Sequence, residues 1–160
     1  MSKLKIRKAI KNDSKDILFF INQLAKFEKL EDQVMANIEY LEKYIFDKEY
    51  AEVVILEVDH KKIGFALYFY TFSTFESKPS LYLEDLFVLP EERQKGYGKE
   101  TLIYLANKAI EKECARFEWS CLKWNKNAID FYTKFGALPQ NEWTLFRLEG
   151  SNLLKYKKKL

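Results

Sequence analysis

The sequence predicts a single domain of the mixed α/β class. Segments typical of strands alternate with segments typical of helices, without an internal repeat or a Gly/Ser/Pro-rich linker that could separate two domains. The chain has 160 residues, of which 48% are hydrophobic, so it can bury a sizeable core without disulfides or a metal. We therefore expect residues 1–160 to fold as one domain.

The first half of the chain predicts three strands and two helices. Ile17, Ile21, Leu24 and Ala25 recur at helical spacing and would share one apolar face. The last two strands follow each other almost directly, which predicts an antiparallel hairpin. In order, the elements are a strand over residues 3–9, a helix capped by Asn12, Asp13 or Ser14, a helix over residues 36–46, and strands over residues 51–59 and 61–72.

The second half continues the alternation. Pro90 breaks a strand, and Gly136 is a glycine of the kind that ends helices. The predicted elements are a strand over residues 81–89, a helix over residues 98–112, a strand over residues 115–122, a helix over residues 127–136 and a final strand over residues 143–149.

The loop after Pro90 has the pattern RxxGxG, from Arg93 to Gly98. Its two glycines allow the backbone to curl closely around an anion, and the N–H groups at a helix N-terminus attract negative charge. Arg93, Lys95 and Lys99 add positive charge. The pattern predicts a phosphate-binding loop, with a plain strand-to-helix turn as the alternative.

Two other nucleotide-binding loops fit this stretch less well. A P-loop requires Ser or Thr directly after its lysine, whereas Glu100 follows Lys99. A dinucleotide-binding loop requires a third glycine where Thr101 stands.

Composition excludes several classes of function. The net charge of +3 is small and dispersed, apart from the basic tail KYKKKL, so nucleic-acid binding is not indicated and the tail is expected to be solvated. His60 is the only histidine, and Cys114 and Cys121 lack metal-binding spacing, so we expect no metal site and reduced thiols in the cytoplasm. No apolar stretch approaches the ~18 residues of a membrane span, and no secretory signal is expected at the N-terminus.

The strand, the RxxGxG loop, the next helix and strand, and the segment WNKNAIDFYTKFGA together resemble the GNAT superfamily of N-acetyltransferases. The resemblance implies a central, mostly antiparallel twisted sheet flanked by helices, and acetyl-CoA as the co-substrate. It implies that loop amides hold the pyrophosphate of the coenzyme and that the preceding strand pairs with its pantetheine arm. The coenzyme-binding residues so implied are Phe87, Val88, Arg93, Gln94, Lys95, Gly96, Tyr97, Gly98, Lys99, Asn125 and Tyr132.

Within this superfamily the chain is similar to the spermidine/spermine (diamine) acetyltransferases. The similarity lies in IRKAIKNDSKDIL, LAKFEKLEDQV, LYLEDLFV, WNKNAIDFY and WTLFRL. It implies a homodimer that acetylates a primary amine of a small cationic acceptor. The segment TFSTFESKPS departs from that branch, because Phe75 and Glu76 have shifted spacing and Thr74 stands near the position of an expected acid.

Acetyl transfer from a thioester to an amine first requires that the amine lose a proton. An alkylammonium has a pKa of about 10.4, so at neutral pH almost none of it can attack, and a nearby carboxylate can accept the proton. Glu84 and Asp85 are adjacent on a predicted strand, where successive side chains point to opposite faces. By the resemblance we assign Glu84 as the proton acceptor and Asp85 as a partner of the cation, with structural salt bridges as the alternative for both.

Two further requirements concern the thioester. A backbone N–H near Phe87 or Val88 would stabilise the developing negative charge on the carbonyl oxygen. By the resemblance Tyr132 would donate a proton to the leaving thiolate, with a buried structural tyrosine as the alternative. Direct attack by the amine is expected, because Cys114 and Cys121 lie outside these motifs.

Acceptor specificity is expected from the acidic stretch KFEKLEDQ, which contains Glu28, Glu31 and Asp32. Carboxylates in a partly desolvated cleft attract a cation with about 4 kcal/mol per pair at 4 Å, so several of them could select a multivalent amine. A solvated helix end is the alternative reading of Glu31. The substrate-binding residues we assign are Glu28, Asp32, Phe75, Glu84 and Asp85.

Two other functions remain open at this point. One is acetylation of a lysine-like amino acid, such as thialysine, or of a protein or peptide amine, which would keep Glu84 and Tyr132 but change the acceptor pocket. The other is a non-catalytic acyl-CoA sensor that docks through its basic tail.

Overall fold

A computed structural model of the chain describes residues 3–158. It comprises two compact units, of which the first ends at Ser120 and the second begins at Cys121. The last two residues of the basic tail lie outside the described residues. That residues 1–160 form a single domain stays a prediction.

A five-stranded sheet forms the centre of the first unit. The strands follow one another in chain order, and all neighbouring pairs are antiparallel except β4 and β5, which are parallel. This confirms the predicted mixed α/β class with a mostly antiparallel sheet. The strands are β1 (Lys5–Lys8), β2 (Glu52–Val58), β3 (Lys61–Ser73), β4 (Lys78–Val88) and β5 (Arg116–Trp119).

The helices are divided between the two units. The first unit contains α1 (Ser14–Phe27), α2 (Ile38–Leu41), which continues as a π-helical turn (Glu42–Asp47), and α3 (Tyr97–Glu111). The second unit contains α4 (Lys126–Phe135) and α5 (Ser151–Leu154). Gly136 follows α4 with a φ of 105°, a left-handed conformation that glycine adopts without strain, so its predicted role at this helix end is confirmed.

One face of the sheet is covered by α1. Ile17 and Phe20 of this helix are buried against Ile55, Phe65 and Phe87 of the sheet. The rings of Phe20 and Phe65 are stacked with their centroids 5.9 Å apart. Burial of each such side chain contributes about 1.5–3 kcal/mol, so this contact holds the end of β4 in place.

The opposite face of the sheet is covered at the start of α3. Tyr97, the first residue of α3, is buried in a cluster with Leu56, Ile63 and Val88. Phe87 and Val88 therefore anchor β4 on opposite faces of the sheet. The strand end and the helix start that flank the RxxGxG loop are both fixed by the core.

Buried charges attach the beginning of α1 to the sheet. The Asp13 carboxylate accepts hydrogen bonds from Arg7 Nη1 at 2.8 Å and from the backbone N–H of Ile10 at 2.8 Å, and it pairs with Lys62 Nζ at 2.9 Å. These partners hold the pKa of Asp13 well below its usual range, with the Arg7 hydrogen bond the largest cause. Asp13 occupies the N-cap position of α1, as the sequence allowed, but makes no side-chain hydrogen bond to that helix.

Several element boundaries differ from the sequence predictions, and one predicted strand is wrong. β4 begins at Lys78 and not at residue 81, because the hairpin from β3 continues to Ser73. The fifth strand covers only Arg116–Trp119. Residues 143–149 belong to none of the ladders among the described residues, and an extended segment without a neighbour is not a strand. The short helix α5 was not predicted.

Candidate active site

The end of β4 has a free edge beside β5. The two parallel strands pair only from Ser80 to Leu83 on β4 and from Arg116 to Trp119 on β5. β3, on the other side, continues to pair with β4 as far as Val88. In the described ladders, the stretch of β4 from Glu84 to Val88 is thus paired on one side only, and its other edge can hydrogen-bond an extended ligand.

A β-bulge lies where this free edge begins. Leu67 faces Asp85 and Tyr68 faces Leu83, so Glu84 has no opposite residue on β3. The regular alternation we expected for Glu84 and Asp85 is therefore wrong at this point, because the extra residue interrupts it. Asp85 shares the face of Phe87, two residues on, and Glu84 is solvent-exposed.

Three carboxyl groups beside the bulge lie within electrostatic reach of one another, because the charges of Glu84 and Glu28 act on Asp85. Burial, as the largest cause, together with the negative charges of Glu84 and Glu28, raises the pKa of Asp85 to about 6. Burial also raises the pKa of Glu28, which follows the C-terminus of α1. The structure thus places three of the five predicted substrate-binding residues in one acidic cluster, Glu28, Glu84 and Asp85.

The other two predicted substrate-binding residues lie in exposed turns of the first unit. Asp32 is exposed in a 3-10 turn over Glu31–Gln33. Phe75 is 92% exposed in the turn between β3 and β4. With a rise of about 3.3 Å per strand residue, the beginning of β4 next to that turn is roughly 20 Å from Glu84.

The RxxGxG loop has the shape of an anion cradle. Gln94 and Gly96 have positive φ angles of 61° and 87°, which turn the chain sharply into α3. The first N–H groups of a helix have no partner within it, and here they belong to Tyr97, Gly98 and Lys99. A Cβ built on Gly98 would meet no atom within 4 Å outside its own helix turn, so open space lies beside this residue in the first turn of α3.

Two basic side chains of the loop have partners within the protein. Arg93 Nε donates to the carbonyl oxygen of Val88 at 2.8 Å, and its guanidinium lies over the rings of Phe27 and Phe87 at 4.9 and 5.3 Å. Burial there lowers the pKa of Arg93. Lys95 Nζ pairs with Glu92 at 2.9 Å. Arg93 thus links α1, β4 and the loop, while Lys99 is exposed at the helix start.

The remaining predicted site residues, Asn125 and Tyr132, belong to the second unit. Asn125 is the N-cap of α4, and its Oδ1 accepts from the backbone N–H of Ala128 at 3.3 Å. Tyr132 lies in the same helix, is half-buried, and its ring meets that of Phe131 edge-on at 5.7 Å. Their roles stay predictions.

Two features are absent from residues 3–158. No group of three or more His, Cys, Asp or Glu side chains in this range could hold a metal ion. None of its helices is long and apolar enough to cross a membrane.

Comparisons with known proteins agree with this geometry. The family model described as "Acetyltransferase (GNAT) family" matches residues 18–137. The chain belongs to the GNAT acetyltransferase family. This confirms the fold and the family expected from the sequence.

Curated GNAT relatives match almost the whole chain. Thialysine N-epsilon-acetyltransferase of Sus scrofa is 35% identical over 94% of this chain and 95% of its own length. The human spermidine/spermine N(1)-acetyltransferase-like protein 1 is 31% identical over 96% of this chain and 24% of its own length. Among solved structures, an integron cassette protein of V. cholerae has a TM-score of 0.79 and 28% identity, covering 95% of this chain and 96% of that one.

GNAT acetyltransferases use acetyl-CoA, and the described residues fit that ligand. The N–H groups of Gly98 and Lys99 at the start of α3, with open space beside Gly98, suit a diphosphate. The free edge from Glu84 to Val88 suits an extended arm that carries amide groups.

The spacing of the apolar residues in β4 indicates the bulge, although an expectation of strict alternation overlooks it. Leu81 and Leu83 lie on one face of β4, and Leu86 and Val88 lie on the same face, because all four oppose even-numbered residues of β3. Their spacings are two, three and two residues. An odd spacing in the middle of an otherwise alternating strand indicates one inserted residue.

Proposed function

We propose that this GNAT enzyme transfers the acetyl group of acetyl-CoA directly to a primary amine of a small cationic acceptor, such as a polyamine or diamine. The observation that carries the proposal is the acidic cluster of Glu28, Glu84 and Asp85 beside the free edge of β4. A cationic acceptor would offset the repulsion among these carboxylates, whereas an anionic one would add to it.

In this proposal the carboxylates of the bulge act on the amine. Glu84, exposed at the bulge, accepts the proton that the ammonium must lose, directly or through one water. Asp85, partly buried beside it, holds the cationic acceptor. The freed amine nitrogen forms its bond to the carbonyl carbon while the bond from that carbon to sulfur breaks.

Other groups would act on the thioester. A backbone N–H near Phe87 or Val88 stabilises the negative charge on the carbonyl oxygen, and its position is fixed because both side chains are buried. Tyr132 donates a proton to the departing thiolate. The amides from Gln94 to Lys99 hold the diphosphate, and Asn125 contacts the coenzyme. Acetyl-CoA supplies the activated acetyl group, and no metal takes part.

A second acceptor class is a lysine-like amino acid. Thialysine N-epsilon-acetyltransferases from Sus scrofa, Mus musculus and Bos taurus are 33–35% identical to this chain over 94% of its length. The exposed position of Phe75 does not favour a polyamine over this class, because it lies outside the acidic cluster. We propose a cytoplasmic homodimer for either acceptor.

The test is a mass-shift screen of spermidine, putrescine, thialysine, ornithine and a lysine peptide with acetyl-CoA. Turnover of a small cationic amine is expected. If only the peptide is acetylated, the small-amine proposal is wrong. Coenzyme binding by calorimetry without turnover of any amine would indicate a sensor instead.

Three variants assign the roles. Glu84→Gln and Tyr132→Phe should each lower kcat by roughly tenfold to ten-thousandfold with the coenzyme still bound, because acid–base assistance is lost. Asp85→Asn should chiefly raise KM for the amine.

In the wild type, kcat/KM for the amine should fall as the pH drops below the Asp85 pKa of about 6, since the cation then loses its partner. Asp85→Asn should remove that dependence, and Glu84→Gln should keep it but move it to lower pH, because one of the charges that raise the Asp85 pKa is then gone. Unchanged rates in all three variants would contradict the assignments.

A further inference from the structure

A cavity lies where the ladder between β2 and β3 ends. β2 begins at Glu52, which faces Tyr68 of β3, whereas β3 continues to Ser73. The cavity has a volume of about 270 Å³, is open to solvent, and is lined by Glu49, Tyr50, Ala51, Glu52, Phe69 and Tyr70. This lining includes three aromatic residues and two carboxylates but no cationic side chain, so it favours a cation.

Glu52 is a half-buried carboxylate that forms neither an ion pair nor a hydrogen bond within residues 3–158. Its Cα is paired with that of Tyr68 across the two strands, so the two side chains lie side by side on one face of the sheet. Burial, followed by the negative charge of Glu52, raises the pKa of Tyr68 above its usual range and that of Tyr70 to about 12. The carboxylate therefore lies within electrostatic reach of both hydroxyls. The charge of Glu111, the last residue of α3, also acts on Tyr70.

Tyr68 is a buried residue whose hydroxyl has no hydrogen-bond partner in the described part of the chain. The residue is 2% exposed, and the hydroxyl of a tyrosine buried to this degree normally has a partner. Every fully enclosed side-chain nitrogen or oxygen of the buried and half-buried residues described has such a partner. The Tyr68 hydroxyl must therefore touch open space, and whatever occupies that space supplies its hydrogen bond.

The neighbouring lysines do not neutralise Glu52. Lys108 Nζ of α3 lies over the Tyr104 ring, 5.6 Å from its centroid, and Lys48 Nζ lies 6.0 Å from the ring centroid of Tyr44. Neither lysine forms an ion pair with any residue from 3 to 158. The charge of Glu52 is thus left to a cation from outside these residues.

The groups without partners determine the chemistry of the ligand. A carboxylate only accepts hydrogen bonds, and a tyrosine hydroxyl can accept one. A primary ammonium group carries one positive charge and three N–H donors, which matches the Glu52 carboxylate and the hydroxyls of Tyr68 and Tyr70. Aromatic faces attract the same charge. An anion would be repelled, and a neutral ligand would leave the carboxylate without a counter-ion.

We propose that this cavity binds the primary ammonium group of a small alkylamine. Glu52 is the counter-ion, the hydroxyls of Tyr68 and Tyr70 accept hydrogen bonds from the ammonium, and the alkyl chain lies in the cavity beside Tyr50 and Phe69.

This amine site is separate from the acidic cluster of the candidate active site. Glu52 shares a sheet face with Leu56, four residues along β2, and Leu56 packs with Val88. Asp85 lies on the opposite face with Phe87. The inference therefore goes beyond the proposed function, since an amine bound here is not in position for acetyl transfer.

NMR titration with n-butylamine tests the site. At pH 7.5 this amine is almost fully protonated. It is added to ¹⁵N-labelled protein without coenzyme, so that no acetylation takes place, and saturable shifts are expected at the backbone amides of Ala51, Phe69 and Tyr70. Shifts at Glu28 and Asp85 report the acidic cluster separately. n-Butanol has the same chain without the charge and should not shift the cavity amides. Tetramethylammonium has no N–H donor and should bind there roughly tenfold more weakly.

Three variants assign the contacts. Glu52→Gln should raise the Kd measured at Ala51 and Tyr70 by roughly tenfold to a hundredfold, because the hydrogen bond to a charged group is lost. Tyr68→Phe should raise it by roughly threefold to tenfold. Asp85→Asn is the matched control, which should change the shifts of the acidic cluster and leave those of the cavity as they are. Glu52→Gln should also leave kcat/KM for the acetyl acceptor unchanged.

Each remaining outcome contradicts part of the proposal. Shifts confined to the amides near Asp85, or equal affinities of the wild type and Glu52→Gln, would overturn the site. Equal shifts with n-butanol would overturn the role of Glu52 as the counter-ion. Equal binding of tetramethylammonium would overturn the role of the two hydroxyls. A loss of turnover in Glu52→Gln would overturn the separation from the acidic cluster.

Discussion

Asp85 is a carboxyl group in an unfavourable position for its charge. Burial and two neighbouring acids raise its pKa to about 6, whereas an aspartate in an unfolded chain has a pKa of about 3.9. The folded state therefore binds the proton more tightly, so this group lowers the free energy of unfolding as the pH rises from about 4 to about 6. Two pKa units correspond to about 3 kcal/mol in the free energy of unfolding. Removal of the charge should therefore stabilise the protein by about this amount.

Asp85→Asn should accordingly stabilise the protein at neutral pH. We expect the free energy of unfolding to rise by about 2–3 kcal/mol at pH 7.5 and by much less at pH 4, measured by urea unfolding at both values. Asp13→Asn is the matched control of opposite sign. The Asp13 pKa is held low by Arg7 and Lys62, so removing its charge should destabilise at pH 7.5 by about 3–5 kcal/mol. A loss of stability for Asp85→Asn at both pH values would contradict this account.

The sequence therefore predicts which residue types take part in the site better than it predicts where those residues lie in space. Glu28, Glu84 and Asp85 were selected by type and motif, and the structure brings them together. Phe75 was selected in the same way, yet it lies outside the cluster, because proximity in sequence to a motif does not fix distance in space. Asp32 is exposed in a turn. The partners of Arg93 could not be foreseen, since the ring of Phe27 comes from a distant helix.

At the scale of elements, a substitution at the start of α3 should change coenzyme binding without lowering the stability of the fold. Gly98 lies in the first helical turn facing open space, so Gly98→Ala should leave folding intact or improve it by about 0.5–1 kcal/mol. The added methyl group would occupy the cradle and weaken binding of coenzyme A by roughly tenfold to a hundredfold. Calorimetry and thermal unfolding measure the two effects.

A second glycine of the same loop provides the contrast. Gly96 has a φ of 87°, so Gly96→Ala should cost about 1 kcal/mol or more of stability through backbone strain. If Gly98→Ala bound coenzyme A as tightly as the wild type, the diphosphate would not lie in this cradle.

β3 lies very close to β4 where Gly64 faces Phe87 and Val88, beside the candidate active site. A Cβ on Gly64 would lie 2.1 Å from the carbonyl oxygen of Phe87 and 3.1 Å from Val88 Cα, both backbone atoms. Gly64→Ala should therefore destabilise by about 3 kcal/mol, since the strands must move apart. It should also weaken coenzyme binding, because displacement of β4 would move the free edge on its other side.

Thermal unfolding of Gly64→Ala beside Gly136→Ala checks this prediction. Gly136 has a positive φ of 105° but no atom within 4 Å, so its substitution should cost only about 1 kcal/mol. If the two substitutions lowered the stability equally, β3 and β4 could move apart without an additional loss of stability, which would contradict the prediction.

For the molecule as a whole, the sequence predicted the order and type of most elements. Periodicity and turn residues identified β1 to β5, α1, α3 and α4, because each has an apolar face that the core requires. The strand over residues 143–149 has the same local pattern and is absent from the described ladders. Its pattern predicts extended backbone but carries no information about which strand lies beside it. Which strands pair depends on contacts between distant parts of the sequence, and the local pattern does not specify those contacts.

The β-bulge makes the deletion of one residue, Glu84, compatible with the rest of the sheet. Glu84 is the one β4 residue between Lys78 and Val88 that faces no residue of β3. Loss of its single codon would leave all the other cross-strand neighbours as they are and would straighten the strand into a regular ladder. A shortened chain of that kind should fold with an unaltered interior and yet be a poor acetyltransferase, so this position could switch off the enzyme without unfolding it.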